Sequence, residues 1–128
     1  MAQNDRHFFC SFRYLGHEVN SRIQALRARY EVRLIEIRHE IEKDGWVLSD
    51  SGRVISHAAQ IRLVDALTEM VEALYEAAAT GYFSAVGSDE YKERVDLVER
   101  QLLEYAMERW RQLTRGLPLE LVDSDPAT

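Results

Sequence analysis

The residues of this chain best suited to chemistry are a glutamate and a histidine three positions apart, Glu36-Ile-Arg-His39. On a helix that spacing lets both side chains face one way, as in one half of a carboxylate-bridged di-iron site. Such a site needs a second Glu-x-x-His on another helix, and the sequence has none. Glu69, Glu72 and Glu76 could add carboxylates, but they equally suit a solvated helix face. His7, His17, His39 and His57 show no paired ligand spacing, and Cys10 has no second cysteine with which to hold zinc or close a disulfide. A nucleophilic Cys10 would need a histidine brought to it by the fold; among phenylalanines it reads as a small core residue. No Gly-x-Ser-x-Gly elbow, phosphate-cradling loop or dinucleotide fingerprint occurs. The expectation is therefore no catalytic residue, no cofactor, no metal and no enzyme.

A second kind of chemistry is phosphate recognition. Arg22, Arg27, Arg29, Arg33 and Arg38 give one helical stretch a guanidinium-rich character, and Arg27, Arg29 and Arg33 are the candidate nucleic-acid contacts. Glu31, Glu36, Glu40 and Glu42 interleave with them, which is the usual pattern of a solvated or partner-pairing face. The whole chain carries 16 basic and 22 acidic side chains, for a formal charge of -6. That balance disfavours a protein whose affinity comes from neutralising phosphates, and equally one that adsorbs to an anionic membrane.

These side chains sit on elements that the sequence marks out. At 128 residues, with 46% hydrophobic and 30% charged residues, the chain has the size and composition of one globular domain. Residues 1–6 read as a loose leader, 7–116 as a single helical domain and 117–128 as an acidic C-terminal tail. Phe8, Cys10, Phe12 and Tyr14 alternate as a strand would, yet Phe8, Phe12, Leu15 and Val19 also fit a helix. Gly16 marks a break. Val19, Ile23, Leu26, Tyr30, Leu34, Ile37 and Ile41 then step at the helical period, and Asp44-Gly45 supplies a stop with a left-handed glycine. Trp46–Leu48 and Arg53–Ile55 flank Ser49-Asp-Ser-Gly52, a β-hairpin of about 46–55, with the N-terminal segment a possible third strand. Ser56 caps a second helix with the stripe Ile61, Val64, Leu67, Val71, Leu74 and Ala78, ending at Gly81 with Tyr82 and Phe83 folding back. Ser88 caps a third with the stripe Tyr91, Val95, Val98, Leu102, Ala106, Trp110 and Leu113, closed by Gly116 and Pro118. The fold class is mainly α: three long helices in a bundle, with a small hairpin between the first two.

The stretch Lys43-Asp-Gly-Trp-Val-Leu-Ser-Asp-Ser-Gly-Arg-Val-Ile-Ser-His-Ala-Ala59, set between helices, resembles the middle of small terminase subunits of tailed phages. That resemblance implies an oligomer that recognises packaging sites on DNA. It covers under half of the chain and amounts to a hairpin between helices, so no residue is carried over from it.

Apolar residues left over from the three stripes point instead to association. Val32 and Ile35 lie beside the first stripe, Leu97, Leu103 and Met107 lie around the third, and Trp46 and Trp110 add large rings. These seven are the candidate interface. The expected function is a non-enzymatic helical protein-interaction module or regulator acting through an oligomeric helical surface. A protein partner and a homodimer or higher homo-oligomer follow from it, with no membrane association and a cytoplasmic location. Two alternatives stand beside it: an acidic inhibitor or decoy of a nucleic-acid-processing protein, and a DNA-binding phage-type packaging or regulatory subunit.

Overall fold

The structure, a computed structural model, describes residues 12–81 and 88–120. Three helices form it: α1 (His17–Asp44), α2 (His57–Gly81) and α3 (Ser88–Thr114). A hairpin of β1 (Trp46–Ser49) and β2 (Gly52–Ile55) joins the first two. The central helix is α2: it packs along both α1 and α3, which touch each other more sparingly.

Local chemistry explains each boundary. Gly16 has φ +99, and α1 starts directly after it. Gly45 ends α1, but with φ -86 rather than in the left-handed conformation the sequence suggests. What excludes a side chain there is space: a Cβ would lie 2.9 Å from the Ile41 carbonyl oxygen and 3.1 Å from the Ala59 Cβ. The glycine lets the end of α1 and the start of α2 come together. In the hairpin, Trp46 pairs with Ile55 and Ser49 with Gly52, leaving Asp50-Ser51 as the two-residue turn. Gly52 has φ +112, and the Ser49 hydroxyl donates to the Gly52 carbonyl at 2.9 Å. Ser56 caps α2 as its residue type predicts, its hydroxyl oxygen accepting the Ala59 N–H at 3.1 Å.

The segment offered as a third strand is described only at its end. Residues 7–11 lie outside the described residues. Phe12 is buried and leads into a 3-10 turn over Arg13–Leu15, so the described part of that segment is no strand. The backbone that does join the hairpin comes from the other end of the chain. Leu119 forms a parallel bridge to Ile55, whose N–H donates to the Pro118 carbonyl at 2.7 Å and whose carbonyl accepts the Glu120 N–H at 2.9 Å. Leu117 and Leu119 pack against the core. The Glu120 carboxylate accepts the His57 N–H at 3.0 Å, at the positive end of α2. Residues 117–120 thus belong to the packed unit, and the stretch read as tail from residue 117 keeps only residues 121–128 outside the described part.

The core runs along α2. Ala59, Leu63, Ala66, Leu67, Met70, Leu74, Ala77 and Ala78 are buried. Ile61 and Val64, assigned to the stripe by their bulk, are instead 47% and 45% exposed, and Val71 is half-buried. A central helix buries the strip between its two neighbours, and Ala59 and Ala66 stand on its α1 side. On α1, Val19, Ile23, Leu34, Ile37 and Ile41 are buried as expected, while Leu26 and Tyr30 flank them. On α3, Val98, Leu102 and Leu113 are buried, Val95 and Trp110 pack at the margin, and Tyr91 is exposed.

Candidate functional site

An apolar groove opens between α2 and α3. The two helices run antiparallel: late in α2, Tyr75 lies near Tyr91, Asp96 and Glu99 early in α3, while the earlier residues 64–72 line one space with the later residues 103–111. Its volume is about 430 Å³, and its walls are Val64, Leu67 and Val71 facing Leu103, Met107 and Trp110. Leu103 is 61% exposed and Met107 50%. Nine large hydrophobic side chains are exposed among the described residues, and three of them, Val64, Leu103 and Met107, line this groove. Singly scattered apolar residues are ordinary, but a contiguous set is the mark of an association surface.

The ends of the groove differ in charge. Glu72 lies at the end nearer the α2–α3 connection and Arg111 at the other, where it stands 3.7 Å from Glu108 and is 65% exposed. Beyond Glu72 the acidic character continues. The Tyr75 hydroxyl is held above its ordinary value by burial, then by the charges of Glu99, Tyr91 and Asp96.

The structure divides the seven candidate interface residues. Leu103, Met107 and Trp110 come together in the groove. Leu97 is half-buried and does not line it. Val32 and Ile35 are 59% and 48% exposed on α1, which contributes nothing to the groove walls. Trp46 is engaged within the chain: its indole N–H donates to the Glu42 carbonyl at 2.6 Å, and the Arg53 guanidinium lies 4.9 Å from its ring centre. Sequence reasoning missed the α2 wall of the groove because it assigned Val64 and Val71 to the core.

The three candidate phosphate-binding arginines do not act as a set. Arg29 and Arg33 are exposed, but Arg27 is buried at 6% exposure, close enough to Tyr105 for its charge to favour the ionised phenol. Arg33 lines a shallow α1–α2 groove that also holds Arg62 but four carboxylates, Glu36, Glu40, Asp65 and Glu69, so the local field there is acidic. Arg62 is paired with Glu40 across this groove. Glu36 points into the same groove, whereas His39 is 74% exposed with Nδ1 3.8 Å from Glu42. Among the described residues no three His, Cys, Asp or Glu side chains are grouped so as to hold a metal ion. His7 and Cys10 lie outside the described residues.

Arg27 belongs to a polar cluster that the sequence did not reveal. Glu31 on α1 accepts the Tyr105 O–H at 2.7 Å and the Arg109 Nε–H at 3.0 Å, with a second Arg109 nitrogen 2.8 Å from its other oxygen. Arg109 also donates to Gln112. Glu31 and Arg109 are only 15% and 17% exposed. The cluster ties α1 to α3 where apolar contact between them is sparse. One signal was present: Arg27 follows Ile23 by four and precedes Tyr30 by three, so it sits in the buried row.

Burial and the neighbouring Glu31 carboxylate hold the Tyr105 proton well above the ordinary phenol value of 10.0. The unfolded chain releases that proton near the ordinary value while the folded chain keeps it. The stability Tyr105 confers is therefore complete below about pH 10 and falls above it, by up to about 1.4 kcal/mol per pH unit. Urea midpoints taken between about pH 9 and about pH 11 are expected to drop for the wild type and to drop less steeply for Tyr105→Phe. Parallel profiles would show that the phenol is solvated.

No helix among the described residues is long and apolar enough to cross a membrane. No family model, no curated protein and no solved structure matches this chain.

Proposed function

We propose that this chain is a non-enzymatic helical protein-interaction module acting through an oligomeric helical surface, with the α2–α3 groove as its docking face. The observation that carries the reading is the contiguity of Val64, Val71, Leu103, Met107 and Trp110, apolar side chains from two helices with nothing over them in the described chain. Two antiparallel helices with an open seam between them are suited to receive further helices, whose side chains fill the gaps that the pair leaves. Covering such a seam removes apolar surface from water at about 25 cal/mol per Å², which favours association.

The test is affinity capture from the native host with the wild type and with Leu103→Glu and Met107→Glu. Proteins held through the groove are expected to be recovered with the wild type and lost with both variants, whose circular dichroism should be unchanged because the mutated side chains are already exposed. Recovery of the same proteins by all three forms would overturn the reading. The DNA-packaging alternative has less to draw on, with Arg27 in the interior and Arg33 among carboxylates. The acidic-decoy alternative rests on overall charge alone.

A further inference from the structure

We propose that the occupant of the α2–α3 groove is a second copy of this chain, set face to face about a two-fold axis perpendicular to the helices. The inference rests on the reading of the groove as a docking face and adds the identity and register of what docks there.

A face-to-face pair with two-fold symmetry has its axis in the plane of the interface, either along the groove or across it. An axis along the groove brings Glu72 of one copy to Glu72 of the other, and Arg111 to Arg111. Like charges then collect at the Glu72 end, where they add to the acidic surroundings of Tyr75, whereas at the other end each Arg111 keeps Glu108 beside it. An axis across the groove exchanges the ends, so Glu72 of one copy and Arg111 of the other share each end of the joined core. The groove spans nine residues of α2 from Val64 to Glu72, roughly 12 Å of rise, with Glu72 on one side of its middle and Arg111 on the other. The centre is neutral and uncharged, with Thr68 on one wall and Met107 on the other. Such a surface is complementary to itself when turned end for end. Because α2 and α3 are antiparallel, two pairs arranged this way give four helices in which neighbours oppose each other in direction, the packing of up-and-down bundles. A two-fold pair is also the commonest closed assembly. The Val32 and Ile35 side chains on α1 remain outside the joined core and appear twice on the dimer.

The two axes are separable by where Met107 falls. Across the groove, Met107 lies beside the axis and faces its own copy; along the groove, it faces α2 of the other copy. The purified full chain is expected to sediment as a dimer at tens of micromolar. Glu72→Arg and Arg111→Glu should each weaken the dimer roughly tenfold, from the loss of two symmetry-related pairs, and the double variant should regain wild-type affinity. Met107→Cys in a Cys10→Ser background should form a covalent dimer under mild oxidation. A wild type that remains monomeric at about 100 µM overturns the proposal, as does a double variant no tighter than either single one, or a dimer that Met107→Cys does not cross-link. If the chain is monomeric while host capture still depends on Leu103 and Met107, only the identity of the occupant fails. If neither holds, the groove is not a docking face.

Discussion

Glu31→Ala is expected to lower the free energy of unfolding by about 3 kcal/mol, read from urea midpoints near neutral pH. The carboxylate accepts from Tyr105 and forms a two-point pair with Arg109, and it stands on the same helix as the buried Arg27. Removing it leaves guanidinium groups in a poorly solvated seam with no anion to balance them. A fully buried pair broken in this way costs about 3–5 kcal/mol, and the residual exposure of Glu31 and Arg109 places this case at the lower end. The control is to remove both partners: Glu31→Leu with Arg109→Leu should recover most of the loss, because replacing a buried pair by apolar groups is often neutral. A single-variant loss below about 1 kcal/mol would mean that the pair behaves as a surface ion pair.

The second large effect concerns residues 117–120. Truncation after Gly116 is expected to cost about 4–5 kcal/mol, whereas truncation after Glu120 should leave stability nearly unchanged. The shorter chain loses two backbone hydrogen bonds to Ile55, at about 1 kcal/mol each, and the Glu120 contact at the N-terminus of α2, worth about another 1. Partial burial of Leu117 and Leu119 adds roughly 1–2 kcal/mol in total. Thermal unfolding of the two truncations decides the matter. Equal midpoints would show that the segment merely lies against the hairpin.

What the sequence revealed and what it hid divide along physical lines. The hairpin was legible because Ser49-Asp-Ser-Gly52 fixes its own turn through a positive φ and a local hydroxyl contact. The three helices were legible because apolar residues recur at their period and Ser56 and Gly16 punctuate them. The row on α2 was misassigned because periodicity reports that a face is apolar, not which of two neighbours covers it; only packing against both α1 and α3 singles out Ala59, Leu63, Ala66 and Met70 over Ile61 and Val64. Gly45 was identified correctly as a stop for a reason that does not apply, since steric room rather than handedness requires it. Half of the groove was visible as the surplus of Leu103 and Met107 beside the α3 stripe, with Trp110 in the stripe itself. The other half depended on the angle at which α2 presents itself. Arg27 was taken for a surface cation because its neighbour Tyr105 stands on α3 and comes near it only when α1 meets α3. The Ile55–Leu119 bridge lay beyond reach altogether, since backbone pairing between distant segments leaves no side-chain pattern.

That bridge has a consequence for how the protein is made. Ile55 is synthesised before α2 and α3, and the outward edge of β2 presents unsatisfied N–H and C=O groups until residues 118–120 return to it. A nascent chain that has reached any earlier point carries the hairpin with one side open, the kind of edge that pairs with other chains. Closing it means bringing together segments separated by two whole helices, a slow step compared with winding either one. On the ribosome, therefore, the hairpin is completed after α3 rather than before α2. Chains stalled or cleaved within α3 should be the aggregating species, with full-length protein spared.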